Sequence, residues 1–532
     1  MKCLSRILAV LGIAASLSCG GSKPAPPAAE TLYRHLEGDP TTLDPITSSE
    51  ESGVLVEELI FRPLVGMDAQ RRPVPSLASS WNVAPDGLTY EFHLDPKFTW
   101  ETGQPVTSDD VRFTIERVHD PKTVSPTWHV FYEDLVAVET PDPATVRVRF
   151  SRLYAERMYA FSLPIVSAAA FAGAKNAAEL TRRPVGSGPY RLESWESNAR
   201  LRLVRRDGPA NADAHYGAVV FRVIPDTGVK YQAGLRGELD EFRLGRDQVK
   251  TAQASADFTA RYRIVKVPIF REAMLVWNVR SPFLSDARVR IALAHAWPRA
   301  ETARSLYPPD GADLASGPYP PGVPENDPTL APTTYDPAET ARLLDAAGWK
   351  VGAGGFRQKG GKKASIEMLH PAGAAIYTSI GEILRSAYEK VGVELVMRPI
   401  EWAAFSARYQ KGEFEVAFTG LLFIPPNLDP YPYYHSSQWP PGGQNFGFYK
   451  SAEADRVMEA ARSEQDPARR LELYRQVARI FAADPPADFV FGAVQYWAFS
   501  KRVEGVEISP FYGLFHFLQG PLGWHPAAAD KR

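Results

Sequence analysis

Short runs in which apolar residues alternate with polar ones, or β-rich side chains cluster, recur along the chain. They predict strands at 89–94, 145–150, 200–204, 263–267 and 273–279. Helices announce themselves by caps. Thr107-Ser108-Asp109-Asp110 followed by Val111, Ile115 and Val118 combines an N-cap, an acid at the third helical position and an apolar i, i+4, i+7 face. Asp336-Pro337-Ala338-Glu339 opens a second helix with Leu343, Leu344 and Ala347 as its stripe and Gly348 as its stop. Asp466-Pro467 opens a third, with Leu471, Tyr474, Val477 and Phe481 on the buried side. Asp109 and Asp110 therefore read as helix-start residues in preference to an acid/base pair.

The stretch from 365 to 420 carries the clearest topology. The pattern predicts a strand over 365–370, a helix over 376–390, a strand over 393–400, a helix over 402–410 and a strand over 414–419. A β-α-β-α-β series implies parallel strands joined by right-handed crossovers. In such open sheets a ligand sits beyond the carboxyl ends of the strands. That rule selects His370, Glu401 with Trp402, and Phe418-Thr419-Gly420 as the border of a cleft. The proline-rich segment 304–337 shows no periodicity and is expected to run over the surface between helices. The glycine-rich run 354–363 lacks the spacing and the Ser or Thr of a phosphate-binding loop and reads as a hairpin.

Composition narrows the class. At 532 residues the chain exceeds what one small core needs, so two or three domains are expected. Hydrophobic residues at 45% and charged ones at 23% describe an ordinary globular protein. A net charge of -2 gives no basic excess for nucleic acid, which is excluded as the main partner. Lys2 and Arg6 flank an apolar run from Ile7 to Leu17, too short to span a bilayer, and small residues and Cys19 follow. Residues 1–18 are thus expected to be a signal peptide. Ser16-Leu17-Ser18-Cys19-Gly20 resembles a bacterial lipobox, which would make Cys19 the lipid-bearing first residue of the mature chain; an ordinary signal cut elsewhere is the alternative. Residues 19–30 then form the lipid anchor and a Pro-stiffened tether. Cys3 and Cys19 are the only cysteines, so an exported mature chain carries no disulfide.

Enzyme motifs are missing. The chain has no G-x-S-x-G and no H-E-x-x-H, and His435, His516 and His525 lack i+3 or i+4 partners. Gly186-Ser187-Gly188-Pro189 reads as a turn, with no base to make Ser187 a nucleophile. No cofactor, no metal site and no catalytic residue are expected. A secreted hydrolase is the weakest of the functional classes considered.

A series of ordered blocks carries a family resemblance. Thr42-Leu43-Asp44-Pro45 comes first, then Ser76 to Trp81 with Asp86 to Leu94 and Pro105 to Phe113, then Gly186 to Tyr190 and Asp286 to Leu293. Tyr335-Asp336-Pro337 with Ala346 to Trp349, Glu401-Trp402, and His435 to Gln438 ahead of Asn445-Phe446-Gly447 complete the series. Together they resemble the oligopeptide/dipeptide/nickel class of extracellular solute-binding proteins, over nearly all of the mature chain. The resemblance implies an α/β, two-lobed, periplasmic-binding-protein-like (type II) clamp with an extra α+β subdomain. By analogy, lobe I is discontinuous over 31–71, 184–276 and 494–532, the added subdomain covers 72–183, and lobe II covers 277–493. The hinge strands would be 273–279 and 489–494. The implied function is capture of a peptide or other small solute by a lipid-anchored monomer at the periplasmic or outer face of the cell, for an ABC permease and ATPase complex. A non-peptide solute such as an oligosaccharide or metal chelate, or a transporter-independent sensor, stands as the alternative.

The same resemblance assigns ligand-binding residues. Trp402 matches a tryptophan that lines a side-chain pocket; closing the core at the strand end is the other reading. Gly420 matches the glycine ahead of a ligand-contacting segment, but the aromatic that follows is here Leu421, and Ile424 or a proline stands where peptide binders carry the acid that pairs with the α-ammonium. Phe418 occupies the place of a carboxylate-binding arginine in some oligopeptide binders. A buried ammonium or carboxylate without a partner costs several kcal/mol, so free-ended short peptides lose their anchors. Asp429 is a substitute candidate, with a turn at Asp429-Pro430 as the other reading, and Tyr431, Tyr433, Tyr434, Trp439 and Phe446 supply rings either for stacking or for ordinary core.

Overall fold

The computed structural model describes residues 30–48, 50–68, 72–125, 127–208, 211, 213–307, 311–372, 375–422, 428–441, 443–506 and 523–527. The signal sequence and Cys19 lie outside these residues, as do Ile424, His516 and most of the tether.

Among the described residues the framework is a mixed sheet of eleven strands, ten in one path and Ala312–Leu314 pairing off it. Its centre is a pair of unusually long antiparallel strands, Tyr262–Trp277 and Ala487–Ser500. On one side of the pair lies Glu241–Leu244, then Thr31–Leu36, Ala218–Val223, Arg200–Arg205 and Tyr190–Glu196. On the other lies Val416–Leu422, then Ser365–Pro371 and Glu394–Ile400. The two runs expected separately at 263–267 and 273–279 are one strand. Its register against Ala487–Ser500 shifts between Pro268 and Glu272 and again between Ala273 and Met274. Pro268 lacks the backbone N–H that a regular ladder needs, which accounts for an irregularity at that point.

The β-α-β-α-β unit forms as expected. Ser365–Pro371 is parallel to both Glu394–Ile400 and Val416–Leu422, and the helices Ala375–Lys390 and Trp402–Gln410 make the crossovers. Strand alternation sorts its residues between two cores. Ile366, Met368, Val416 and Phe418 pack in one with Leu275 and Trp277. Leu369 and Ala417 pack in the other with Met274, Val276 and Phe405.

A separate antiparallel sheet, ordered Ala78–Val83, Thr89–Leu94, Thr145–Phe150, Leu135–Asp142, carries the helix Ser108–His119. Asp110 accepts from the Thr107 N–H at 2.9 Å and from the Trp100 indole at 3.1 Å, so it acts as helix cap and tryptophan anchor. This sheet shares one continuous core with the first half of the large sheet, since Phe92, Val148 and Phe161 join the same cluster as Leu32, Leu59 and Phe221. The segment 304–337 is less superficial than its sequence suggests: it contains the strand Ala312–Leu314, and Tyr319 and Val323 are buried against the helix Pro467–Ala483. Packing against Tyr474 replaces the missing periodicity as the source of its order. Residues 350–363 form the expected hairpin arrangement, with Gly360 and Gly361 at positive φ in the tight turn.

The Gly186–Pro189 loop is a structural junction. The Gly188 N–H donates to the Ile60 carbonyl at 2.7 Å, and a Cβ on Gly188 would meet that carbonyl carbon at 2.6 Å. Ser187 is buried and its Oγ accepts weakly from the Arg62 N–H at 3.4 Å. Gly188→Ala is expected to cost about 1–3 kcal/mol through overpacking, read as a fall in melting temperature. An unchanged melting temperature would mean that the loop is not held against Ile60.

Candidate functional site

Helix, strand and loop ends of the second half of the molecule converge on one cavity of about 330 Å³. Tyr409 comes from the helix Trp402–Gln410, Met274 and Val276 from the central strand, Gly420 from Val416–Leu422, and Tyr433 and Tyr434 from the short helix Tyr431–Tyr434. The loop from Gln444 to Tyr449 supplies Asn445, Phe446 and Tyr449. Asn445 braces that loop: its side-chain amide donates to the carbonyls of Tyr434, His435 and Tyr449, and its oxygen accepts from the Tyr449 N–H. The opposite wall belongs to the separate antiparallel-sheet module, through Thr127, Val130, Phe131 and Tyr154.

Asp429 and Arg462 are the charged side chains among the described lining residues, and they face each other as an ion pair at 2.9 Å. Asp429 is buried and also accepts from the Tyr431 N–H at 3.0 Å. Burial raises the Asp429 pKa, more than the Arg462 charge lowers it. Arg462 lies over the Tyr431 ring at 4.3 Å and the Tyr154 ring at 5.1 Å. Burial pushes Tyr433 up to about 12 and Tyr154 well above the ordinary phenol value, so these hydroxyls stay protonated at neutral pH. The arrangement is suited to enclosing a compact solute against ring faces while adding no net charge of its own.

The residues selected from sequence divide. Gly420 and Asp429 line the cavity, as do Tyr433, Tyr434 and Phe446. Phe418 and His370 do not line it. Alternation places Phe418 on the sheet face opposite Met274, where its ring meets Tyr377 edge-on at 5.2 Å. His370, 1% exposed, lies near-parallel to the same Tyr377 ring, and its Nδ1 is 3.1 Å from the Pro371 carbonyl. Thr419 pairs with Met274 in the ladder and is buried outside the lining. Leu421 continues the strand opposite Glu272.

Trp402 is 56% exposed and away from the cavity lining. It begins a column of stacked rings, Trp402, Phe405, Tyr409 and Phe414, with centroids 5.5–5.8 Å apart. The column reaches the cavity through Tyr409. Helical spacing from Trp402 would have pointed to Phe405 and Tyr409, whereas Phe131, Tyr154 and Arg462 carry no sequence signal that joins them to the rest. His435 is buried, with Nδ1 2.7 Å from the Ser437 Oγ, and the described residues contain no cluster of three or more metal-ligating side chains.

The sequence signature described as bacterial extracellular solute-binding proteins, family 5 Middle, matches residues 72–442. The oligopeptide-binding protein AppA of Bacillus subtilis is 25% identical over 536 residues, which covers 96% of this chain and 96% of AppA. Protein XP55 of Streptomyces lividans is 28% identical over 496 residues, covering 90% of this chain and 86% of XP55. The crystal structure of NikA from Brucella suis in complex with Fe(III)-EDTA superposes with a TM-score of 0.80 at 21% identity, covering 93% of this chain and 100% of NikA. The fold is therefore the two-lobed α/β clamp with its additional module.

Trp402→Ala is expected to lower the stability of the ligand-free protein by no more than about 1 kcal/mol, since one exposed stacking contact is lost. A larger loss in thermal denaturation would place the indole in the core.

Proposed function

The chain belongs to the family-5 bacterial extracellular solute-binding proteins, and from that premise we propose that it captures a compact peptide or peptide-like solute in the cavity between Tyr409, Tyr433 and Tyr154 and delivers it to an ABC permease. The enclosed, ring-lined cavity around the Asp429–Arg462 pair is the observation that supports this reading. The protein is a binding protein and not an enzyme, as its relatives are. Its two lobes close on the solute: a solute that touches both favours the closed state by the contacts it gains there, and the transporter responds to that state.

Lobe I comprises residues 31–71, 184–276 and 494–532, the subdomain 72–183, and lobe II 277–493. The hinge strands are 273–279 and 489–494, and the ladder between them changes register between Ala273 and Met274. Cys19 carries the lipid that holds the monomer at the membrane, and residues up to 30 tether it. Compensation within the Asp429–Arg462 pair favours a solute of zero net charge, because an unmatched charge would be desolvated without a partner. A neutral non-peptide solute such as an oligosaccharide fits that condition as well and is the second reading.

Native mass spectrometry of the mature protein purified from the cell is expected to show a bound population carrying a ladder of peptide masses. A single non-peptide mass would overturn the peptide assignment. Protein that stays empty, and whose melting temperature is unmoved by panels of peptides, sugars and chelates, would overturn the capture reading. Cys19→Ser is expected to move the protein from the membrane fraction to the soluble fraction; retention on the membrane would sink the lipid anchor.

A further inference from the structure

The subdomain 72–183 shares a continuous core with lobe I, yet its surface meets lobe II at the cavity. The Ala155 N–H donates to the Arg462 carbonyl at 2.7 Å, the Tyr154 ring lies under the Arg462 guanidinium, and Glu156 sits 4.0 Å from Arg470. The same Arg462 pairs with Asp429 inside the cavity. One residue thus belongs both to the contact between the lobes and to the wall of the binding space.

Tyr154 adds the second observation. Its side chain is 5% exposed, it lines the cavity, and its hydroxyl has no hydrogen-bond partner among the described residues. A buried hydroxyl without a partner carries an unrecovered desolvation cost, and buried polar groups are rarely left in that state. Tyr132, in the same module, is a satisfied counterpart: its hydroxyl donates to the Ala160 carbonyl at 2.6 Å. Tyr154 faces the space into which the solute is expected, and its raised pKa keeps it a donor.

Building on the capture reading, we propose that the subdomain is a working wall of the binding site: the Tyr154 hydroxyl donates a hydrogen bond to an acceptor on the captured solute, and docking of Tyr154–Glu156 on Arg462 closes the cavity. The acceptor is a carbonyl, hydroxyl or ether oxygen, because Asp429 and Arg462 already neutralise each other and Tyr154 brings no charge.

Three variants separate the parts of this proposal. Hydrogen–deuterium exchange on the wild-type full chain is expected to show slow exchange at Ala155 and at 129–131. Tyr154→Ala should speed it at least about tenfold there, while the amides of 89–94 stay protected. If those strand amides also lose protection, Glu156→Ala repeats the comparison without removing a core ring. Tyr154→Phe keeps the ring and should leave Ala155 exchange unchanged. It should still lower the fraction of protein that retains its co-purified solute in native mass spectrometry, equivalent to about a three- to tenfold weaker dissociation constant.

Exchange at Ala155 that is the same in the alanine variants as in wild type would overturn the docking. Equal retention in Tyr154→Phe and wild type would overturn the hydrogen bond. A wild-type protein that never carries a solute would sink the capture reading and the hydrogen bond with it, whereas the exchange comparison would still decide the docking.

Discussion

Everything in this molecule hangs from one antiparallel ladder, the pairing of Tyr262–Trp277 with Ala487–Ser500. Each strand is long enough to serve both halves of the large sheet. The end containing Arg263 and Trp497 belongs to the half with Thr31–Leu36, and the end containing Met274 and Phe489 to the half with the parallel strands. This shared ladder ties the two halves of the sheet together through continuous backbone pairing, and its register shifts near Pro268 and again between Ala273 and Met274.

The parallel unit at 365–422 was legible because its signals are local. Strand and helix periods alternate, and each crossover is short. Asp336, Asp466 and the Thr107–Asp110 box declared their helices for the same reason: a cap and its recipient N–H lie within one turn. The central ladder was not legible, since Pro268 and the charged Arg271-Glu272 interrupt the strand pattern and the partner strand lies more than two hundred residues away.

The candidate site divides along the same line. Gly420 follows from the strand end that topology selects, whereas Asp429, Tyr433, Tyr434 and Phe446 were drawn in by the segment that the family resemblance marks; all five line the cavity. His370 and Phe418 were drawn in by the same rule and fell on the other face, where one step along a strand reverses the direction of a side chain. Tyr154 and Arg462 meet only in three dimensions. Nothing near either of them in sequence distinguishes a tyrosine and an arginine at a lobe contact from others on the surface.

The junction at Gly186–Pro189 has a mechanical consequence. Backbone bonds from Glu101 to Gly186, from Ile165 to Arg62 and from Leu43 to Thr181 weld the antiparallel-sheet module to the first half of the large sheet at several points, and the core runs through the weld. The module is therefore continuous with that half of the sheet, and through Thr127, Val130, Phe131 and Tyr154 it also walls the cavity. Under the proposed closure any turn of that half carries the module with it, so the position of the Tyr154 ring registers the angle between the lobes.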